Sequence, residues 1–170
     1  MLFRSVSQSR YASTSLILFA SYALIAYAAL VLFVADMKTQ ILPDSMLVVA
    51  LIGIAMRDVF THYGLEITDV YAAAGACLFF FLLWLVTRGR GMGLGDVKLA
   101  FVLGLFLGFP LIVIALYAGF LTGATVGVIL ILAAKKTMKS KIAFGPFLLF
   151  GGVVAFVWGQ QLVTLWRSFL

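Results

Sequence analysis

Residues 91–99 read GMGLGDVKL and stand between two long apolar runs of the chain. Their three glycines allow backbone conformations that other residues resist, and they let a second backbone approach closely. The same segment contains Asp96, an acid placed where the chain would enter lipid. Because a charge is costly to bury there, such an acid is a candidate for function. The structural alternative is a tight polar turn in which Asp96 caps the following helix.

The composition of the whole chain is that of a membrane protein rather than a soluble domain. Of its 170 residues, 65% are hydrophobic and 11% are charged, and the mean hydropathy is +1.20. Long apolar runs in such a chain predict transmembrane helices, so the expected fold class is all-α. The net charge of +6 does not indicate nucleic-acid binding, since basic residues in so apolar a chain set membrane topology or face anionic lipid.

Cysteine and histidine are too rare to build a common metal site. The chain has one cysteine, Cys77, and one histidine, His62. A disulfide within the chain is therefore excluded, and so is a zinc site of the usual Cys/His type.

Six apolar runs predict one bundle of about six transmembrane helices, at residues 16–35, 46–56, 70–87, 97–109, 111–134 and 142–163. The second and fourth runs are short for a full span. We expect residues 1–15 to form a polar N-terminal tail and residues 16–170 to form the helical domain. A signal peptide cleaved after Ala26-Tyr27-Ala28 is the alternative for the first run, but a run of about 20 residues favours a retained helix.

Basic residues predict which breaks between the runs face the cytoplasm. With six spans, the breaks at 36–45, 88–98 and 135–141 share one side, and they hold eight of the twelve lysines and arginines. The sequence therefore predicts a multi-pass protein of the inner (cytoplasmic) membrane. These three breaks would face the cytoplasm, and both termini would lie outside.

The predicted topology places two acids on the same membrane face. Asp36 ends the first run, and Asp96 begins the fourth. Two carboxyl groups in a poorly solvated site cannot both ionise cheaply, so one keeps its proton while the other acts as a base. Such a pair can activate water against a peptide carbonyl. The alternative is two unrelated acids that cap helices or pair with Lys38 or Lys98.

Three motifs resemble those of a known family. GLGD at 93–96 resembles the GxGD signature of intramembrane aspartyl proteases, and the longer pattern at 93–99 is similar to the type IV prepilin peptidase version. DMKTQILP at 36–43 resembles that family's first catalytic motif, and FGPF at 144–147 resembles its third. Presenilin-like proteases share GxGD, but they have nine spans and a Pro-Ala-Leu motif, which this sequence lacks.

The resemblance implies a specific reaction. Asp36 and Asp96 would carry out aspartyl peptidase chemistry at the cytoplasmic face, without a metal or organic cofactor. The substrate would be a prepilin-like membrane protein, from which the enzyme removes a short basic leader. Gly93 and Gly95 would let the substrate backbone or the second acid come close. The other motif residues, with substrate-binding or structural roles, are Pro43, Lys98, Gly145 and Pro146.

The N-terminal region distinguishes two forms of that family. The longer members carry an extension with paired cysteines, and they also N-methylate the trimmed pilin. Residues 1–15 hold no cysteine, so we expect the short, peptidase-only form that accompanies tight-adherence pili and archaeal flagellar systems.

Asp44 is the acid most easily confused with the catalytic pair. It lies in the same break as Asp36 and directly follows Pro43. Because an acid is favourable at a helix N-terminus, we interpret Asp44 as structural, with substrate binding as the alternative.

Glycines at 119, 123 and 127 recur at the spacing that lets membrane helices pack closely, and those at 104 and 108 repeat it. Packing within one bundle is the favoured interpretation, and a homodimer is the alternative.

Two other classes of function compete with a peptidase. A small transporter or channel also uses intramembrane acids, but these would lie deep within helices or in an inverted repeat. A non-catalytic assembly subunit of a pilus or secretion system would not need both Asp36 and Asp96.

Overall fold

The computed structural model describes residues 2–61, 66–89, 92–133 and 143–168. These residues form helices and no strands, which confirms the predicted all-α class. The helices are α1 (Leu2–Thr39), α2 (Asp44–Thr61), α3 (Ile67–Thr87), α4 (Leu94–Leu107), α5 (Leu111–Leu132) and α6 (Gly145–Ser168). The sequence separated residues 1–15 as a tail, whereas α1 already begins at Leu2. His62, Arg90 and the basic segment 135–141 lie outside the described residues.

Four of the described helices are long and apolar enough to cross a membrane. They comprise Thr14–Thr39, Ile67–Thr87, Leu111–Leu130 and Gly145–Ser168. α2 and α4 do not meet the same criteria, because α2 carries Asp44, Arg57 and Asp58 and α4 has only 14 residues. The predicted count of six spans therefore stays a prediction.

Glycine and proline set the limits of several helices. α2 begins directly after Pro43, which cannot donate a backbone hydrogen bond and suits a helix start. α4 ends at Gly108, whose φ of +66° is a conformation that side chains with a Cβ rarely adopt. Pro110 then precedes α5. These positions explain why the breaks in the sequence correspond to the ends of helices.

The helices pack as three antiparallel hairpins. α1 packs on α2, α3 on α4, and α5 on α6. The hairpins meet through α4 and α6, since α4 also contacts α2 and α5, and α6 contacts both α1 and α4. The shared core contains large, fully buried side chains from five of the helices, namely Leu32, Ile54, Phe80, Leu99 and Leu148.

Glycines permit the close approach of helices inside this bundle. A Cβ at Gly119 would lie 3.0 Å from the carbonyl oxygen of Phe147, and one at Gly123 would lie 3.2 Å from the ring of Phe144. On α4, Gly104 packs against the backbone of Ala73 in α3. The predicted packing role is confirmed for these three glycines.

Candidate active site

Residues from two of the breaks that the sequence assigns to one membrane face, together with the residues just before α6, line a common cavity. The cavity has a volume of about 270 Å³. Segments 36–42, 89–96 and 143–144 all contribute to its wall. The lining residues are Asp36, Thr39, Gln40, Leu42, Gly89, Met92, Gly93, Gly95, Asp96, Ala143 and Phe144. The fold therefore brings both predicted catalytic acids to one space.

Asp36 lies in the last turn of α1, and only 4% of its surface is exposed. Its Oδ2 atom is buried and has no hydrogen-bond partner within the described ranges. Buried polar atoms in folded proteins almost always have such a partner, and an orphan calls for an explanation. Asp58 Oδ2 is buried without a partner in the same way, so this feature alone does not distinguish Asp36 from a structural acid.

Asp96 lies in the first turn of α4 and is 6% exposed. The backbone N–H of Gly93 donates a hydrogen bond of 3.2 Å to its Oδ2 atom. One carboxyl oxygen of Asp96 therefore caps the start of α4, as the structural alternative for this acid predicted. The other oxygen, Oδ1, is turned towards α6.

Gly145, the first residue of α6, lies against both acids. A Cβ at this position would be 2.5 Å from Oδ2 of Asp36 and 3.5 Å from Oδ1 of Asp96. These two oxygens are consequently no more than 6.0 Å apart, the sum of the two distances. The sequence identified Gly145 only through its motif, and the structure gives it a steric reason. A side chain there would collide with Asp36.

Neither acid of the cavity has a cationic partner among the described contacts. Among the described residues, the ion pairs join Arg57 to Asp58 and Lys98 to Asp44. The alternative in which Lys38 or Lys98 neutralises one of the two cavity acids is therefore not what the structure shows.

The glycines of the GxGD motif have different neighbours. A Cβ at Gly95 would lie 2.9 Å from the side chain of Leu42. The lack of a side chain at Gly95 therefore makes room for Leu42, in the segment between α1 and α2, and not for the second acid. Gly93 has only ordinary contacts around it, the nearest at 3.8 Å. Its visible contribution is the N–H that holds Asp96.

The remaining motif residues surround the site without entering the acid pair. Pro43 precedes α2, and Asp44 is its first residue, as the helix N-terminus interpretation requires. Lys98 Nζ binds both oxygens of Asp44, at 2.7 and 2.9 Å. Pro146 is buried in the first turn of α6, where its missing N–H costs no helical hydrogen bond.

Some cavity residues were not identified by sequence reasoning. Five residues line the cavity but were not predicted as site residues, namely Thr39, Gln40, Gly89, Met92 and Ala143. Their closeness in sequence to the acids was the available signal. It does not reveal which neighbours turn inward.

The arrangement offers two buried carboxyl groups and space for a peptide. Their facing oxygens are close enough to act on one water molecule or one carbonyl group between them. Within the described ranges, no group of three or more His, Cys, Asp or Glu side chains is placed to hold a metal ion.

A family model described as the type IV leader peptidase family matches residues 23–128. The chain belongs to the type IV leader peptidase family. The matched segment contains Asp36, Asp96 and the whole GxGD motif, and it ends before Gly145. The resemblance drawn from the three motifs is thus confirmed at the level of the family. With its apolar helices, the chain is an integral membrane protein of that family.

Relatives in the leader peptidase family extend the match. The chain is 31% identical to a prepilin leader peptidase/N-methyltransferase of Pseudomonas aeruginosa, over 86% of this chain and 52% of the relative. It is 34% identical to the protein of the same name from Legionella pneumophila, over 76% of this chain and 46% of the relative. The chain spans about half the length of the curated relatives it matches. No solved structure matches it.

Proposed function

We propose that the chain is an aspartyl endopeptidase that removes a short basic leader from a prepilin-like precursor at the cytoplasmic face of the membrane. Membership of the leader peptidase family supports the class of substrate. The observation that carries the aspartyl mechanism is the approach of Asp36 Oδ2 and Asp96 Oδ1 to within 6.0 Å in a common cavity.

The proposed mechanism uses one proton shared between two carboxyl groups. The ionised carboxylate removes a proton from a water molecule, whose oxygen attacks the peptide carbonyl carbon. The protonated carboxyl group donates its proton to the carbonyl oxygen. The tetrahedral intermediate then collapses as the C–N bond breaks: one carboxyl group gives a proton to the leaving amine, and the other takes a proton from a hydroxyl of the intermediate as the C=O bond forms again. The two acids exchange roles in the course of the reaction, so neither is assigned as the permanent base.

The lack of a cationic neighbour supports this mechanism. A lysine or arginine bound to either acid would favour two ionised carboxylates, and the shared proton would be lost. The described ion pairs leave both acids without a cationic partner, although both side chains are buried. This is the environment that a proton-sharing pair needs.

The position of the acids also fits a substrate cut at the membrane surface. Asp36 lies in the last turn of its helix and Asp96 in the first turn of its own, so both stand at helix ends. A precursor with an apolar helix and a basic leader would present its scissile bond at that level. The basic-residue distribution assigns this face to the cytoplasm.

The test is cleavage of a basic-leader precursor in liposomes by the unmodified chain and by Asp36→Asn, Asp96→Asn and Glu66→Gln. We expect each dyad variant to lose roughly 10³-fold or more in rate, because an amide cannot exchange the proton. Glu66 is an exposed acid outside the cavity, and its only described side-chain partner is the Thr68 hydroxyl. Its variant is the matched control and should retain the full rate.

Three outcomes would contradict the proposal. Full activity in either dyad variant would exclude the aspartyl mechanism. An unmodified chain that cleaves no precursor but conducts ions in the same liposomes would favour the transporter or channel alternative. Inertness in both assays would favour an assembly subunit.

A further inference from the structure

An ion pair between Lys98 and Asp44 stands beside the cavity, and its exposure to solvent means that it contributes little to the stability of the fold. Lys98 Nζ lies 2.7 Å and 2.9 Å from the two oxygens of Asp44. Both side chains are nevertheless open to solvent, with 52% and 71% of their surfaces exposed. Pairs this exposed contribute little to folding, since solvent screens them and ordering long side chains costs entropy. A competing cation can therefore replace Lys98 at little cost.

The pair stands next to the reacting groups on both of its elements. Asp44 follows by two positions Leu42, which lines the cavity and packs on Gly95. Lys98 follows Asp96 by two positions on α4. A substrate segment that leaves the cavity between the starts of α2 and α4 would pass the Asp44 carboxylate.

The same pair also marks a boundary between charged and apolar surface. Beyond it runs a groove of about 320 Å³ between α2 and α4, walled by Leu47, Val48, Leu51 and Phe101. A leader-bearing precursor has a matching boundary, because its basic leader is followed by an apolar helix.

Asp44 is the exposed acid at this end of the bundle. The sequence contains six acids, and all of them are described. Asp36 and Asp96 are buried in the cavity. Asp58, Glu66 and Asp69 lie towards the far end of α2 and the start of α3, about 20–27 Å away along an 18-residue helix. A cationic leader that reaches the cavity thus encounters one accessible carboxylate.

We propose that Asp44 binds a cation of the precursor's leader by exchanging Lys98 for it, and so selects basic leaders. The inference rests on the proposed function and names a specificity residue for it. Lys98 holds the carboxylate in place in the free protein, and the incoming lysine or arginine replaces it. Asp44 acts in binding and takes no part in bond cleavage.

The test compares two precursors that differ only in the leader, one with its basic residues and one with glutamine in their place. Asp44→Asn should raise KM for the basic precursor about fivefold, the size of an exposed charge pair, and leave kcat within twofold. Lys98→Gln should lower the same KM about twofold, because it removes the competing cation. Glu66→Gln is the control, and it should change neither value.

The opposite changes in KM expected for Asp44→Asn and Lys98→Gln distinguish recognition of the leader from a purely structural role of the pair. If the pair only braces the α2–α4 contact, Asp44→Asn and Lys98→Gln will change KM in the same direction, and by the same factor on both precursors. That result would overturn the proposal while leaving the peptidase intact. If the unmodified chain cleaves neither precursor, the proposed function fails, and the assignment of Asp44 fails with it. Raising the salt concentration should also abolish the preference for the basic leader.

Discussion

Buried carboxylates occur at both ends of the helical bundle, and the two ends compensate them differently. At the far end, Asp58 is 7% exposed and receives a 2.7 Å hydrogen bond from Arg57. Arg57 also donates to the carbonyl oxygen of Phe106 and lies over that ring. At the cavity end, Asp36 and Asp96 are equally buried but face each other. Burial alone therefore does not distinguish the cavity acids from Asp58, whereas the absence of a described cationic neighbour does.

The difference has a physical reason. A carboxylate taken out of water must be paired, protonated or hydrogen-bonded, or it destabilises the fold. Asp58 is paired with Arg57, and this charge pair ties α2 to the end of α4. In the cavity, Asp96 accepts a backbone hydrogen bond from Gly93, but neither acid has a described cationic partner, so a proton held by the pair would lower the cost of burying both.

The largest effect that we expect is a loss of stability when the Arg57–Asp58 pair is broken. Arg57→Met removes the cation and leaves Asp58 buried and unpaired, so the free energy of unfolding should fall by about 3 kcal/mol. Thermal or denaturant unfolding in detergent, followed by circular dichroism, would measure it. The double variant Arg57→Met/Asp58→Asn should recover most of the loss. Equal instability in the single and double variants would show that the contacts of Arg57 with Phe106 carry the effect.

A smaller effect is expected at the cavity end, where a substitution beside Asp36 should lower the rate of precursor cleavage. Gly145→Ala places a methyl group 2.5 Å from Oδ2 of Asp36, so the acid must move away from Asp96. A displacement near 1 Å in a catalytic group lowers rates by roughly 100-fold, and we expect a loss of this order in precursor cleavage. Gly75→Ala is the matched control, since a Cβ there meets nothing within 4 Å. Similar rates for both variants would argue against Gly145 as the residue that sets the spacing of the pair.

The smallest effect concerns the backbone of the cavity. Gln40 follows the end of α1 with φ of +54°, and its N–H bonds the carbonyl oxygen of Asp36. Glycine suits this left-handed position best, so Gln40→Gly should raise the free energy of unfolding by roughly 0.5–1 kcal/mol. The same change inside a helix, Gln161→Gly, should lower it by about 1 kcal/mol. A loss of stability in both variants would show that the Gln40 side chain contributes more than its backbone costs.

The sequence was informative wherever a feature is local. Apolar runs predicted the helices to within a few residues at most ends, and the ordered motifs predicted that Asp36 and Asp96 share a site. Charge counting placed three breaks on one face; residues from the first two line the cavity, and the third lies outside the described residues. The helices and the charge pattern depend on period, length and composition, which a sequence displays directly, whereas the meeting of Asp36 and Asp96 was expected from the family resemblance of the motifs.

Contacts between hairpins could not be predicted in the same way. Nothing in the spacing indicates that Leu42 fills the space above Gly95, or that Lys98 binds Asp44 rather than Asp96. The start of α1 at Leu2 was also unexpected, since a polar segment with five serines favours a tail over a helix. Such choices follow from how three hairpins fit together, and many pairings satisfy the same apolar pattern.

The division of the site among hairpins has a consequence for biosynthesis. Asp36 arrives on the first hairpin and Asp96 on the second, while α6 of the third contacts both α1 and α4 and supplies Gly145 between the acids. A ribosome-bound or half-inserted chain thus carries the two acids separately. Under the proposed function, the surroundings of the acid pair are complete only when α6 has docked, so a partly inserted chain would cleave neighbouring membrane proteins more slowly than the finished bundle.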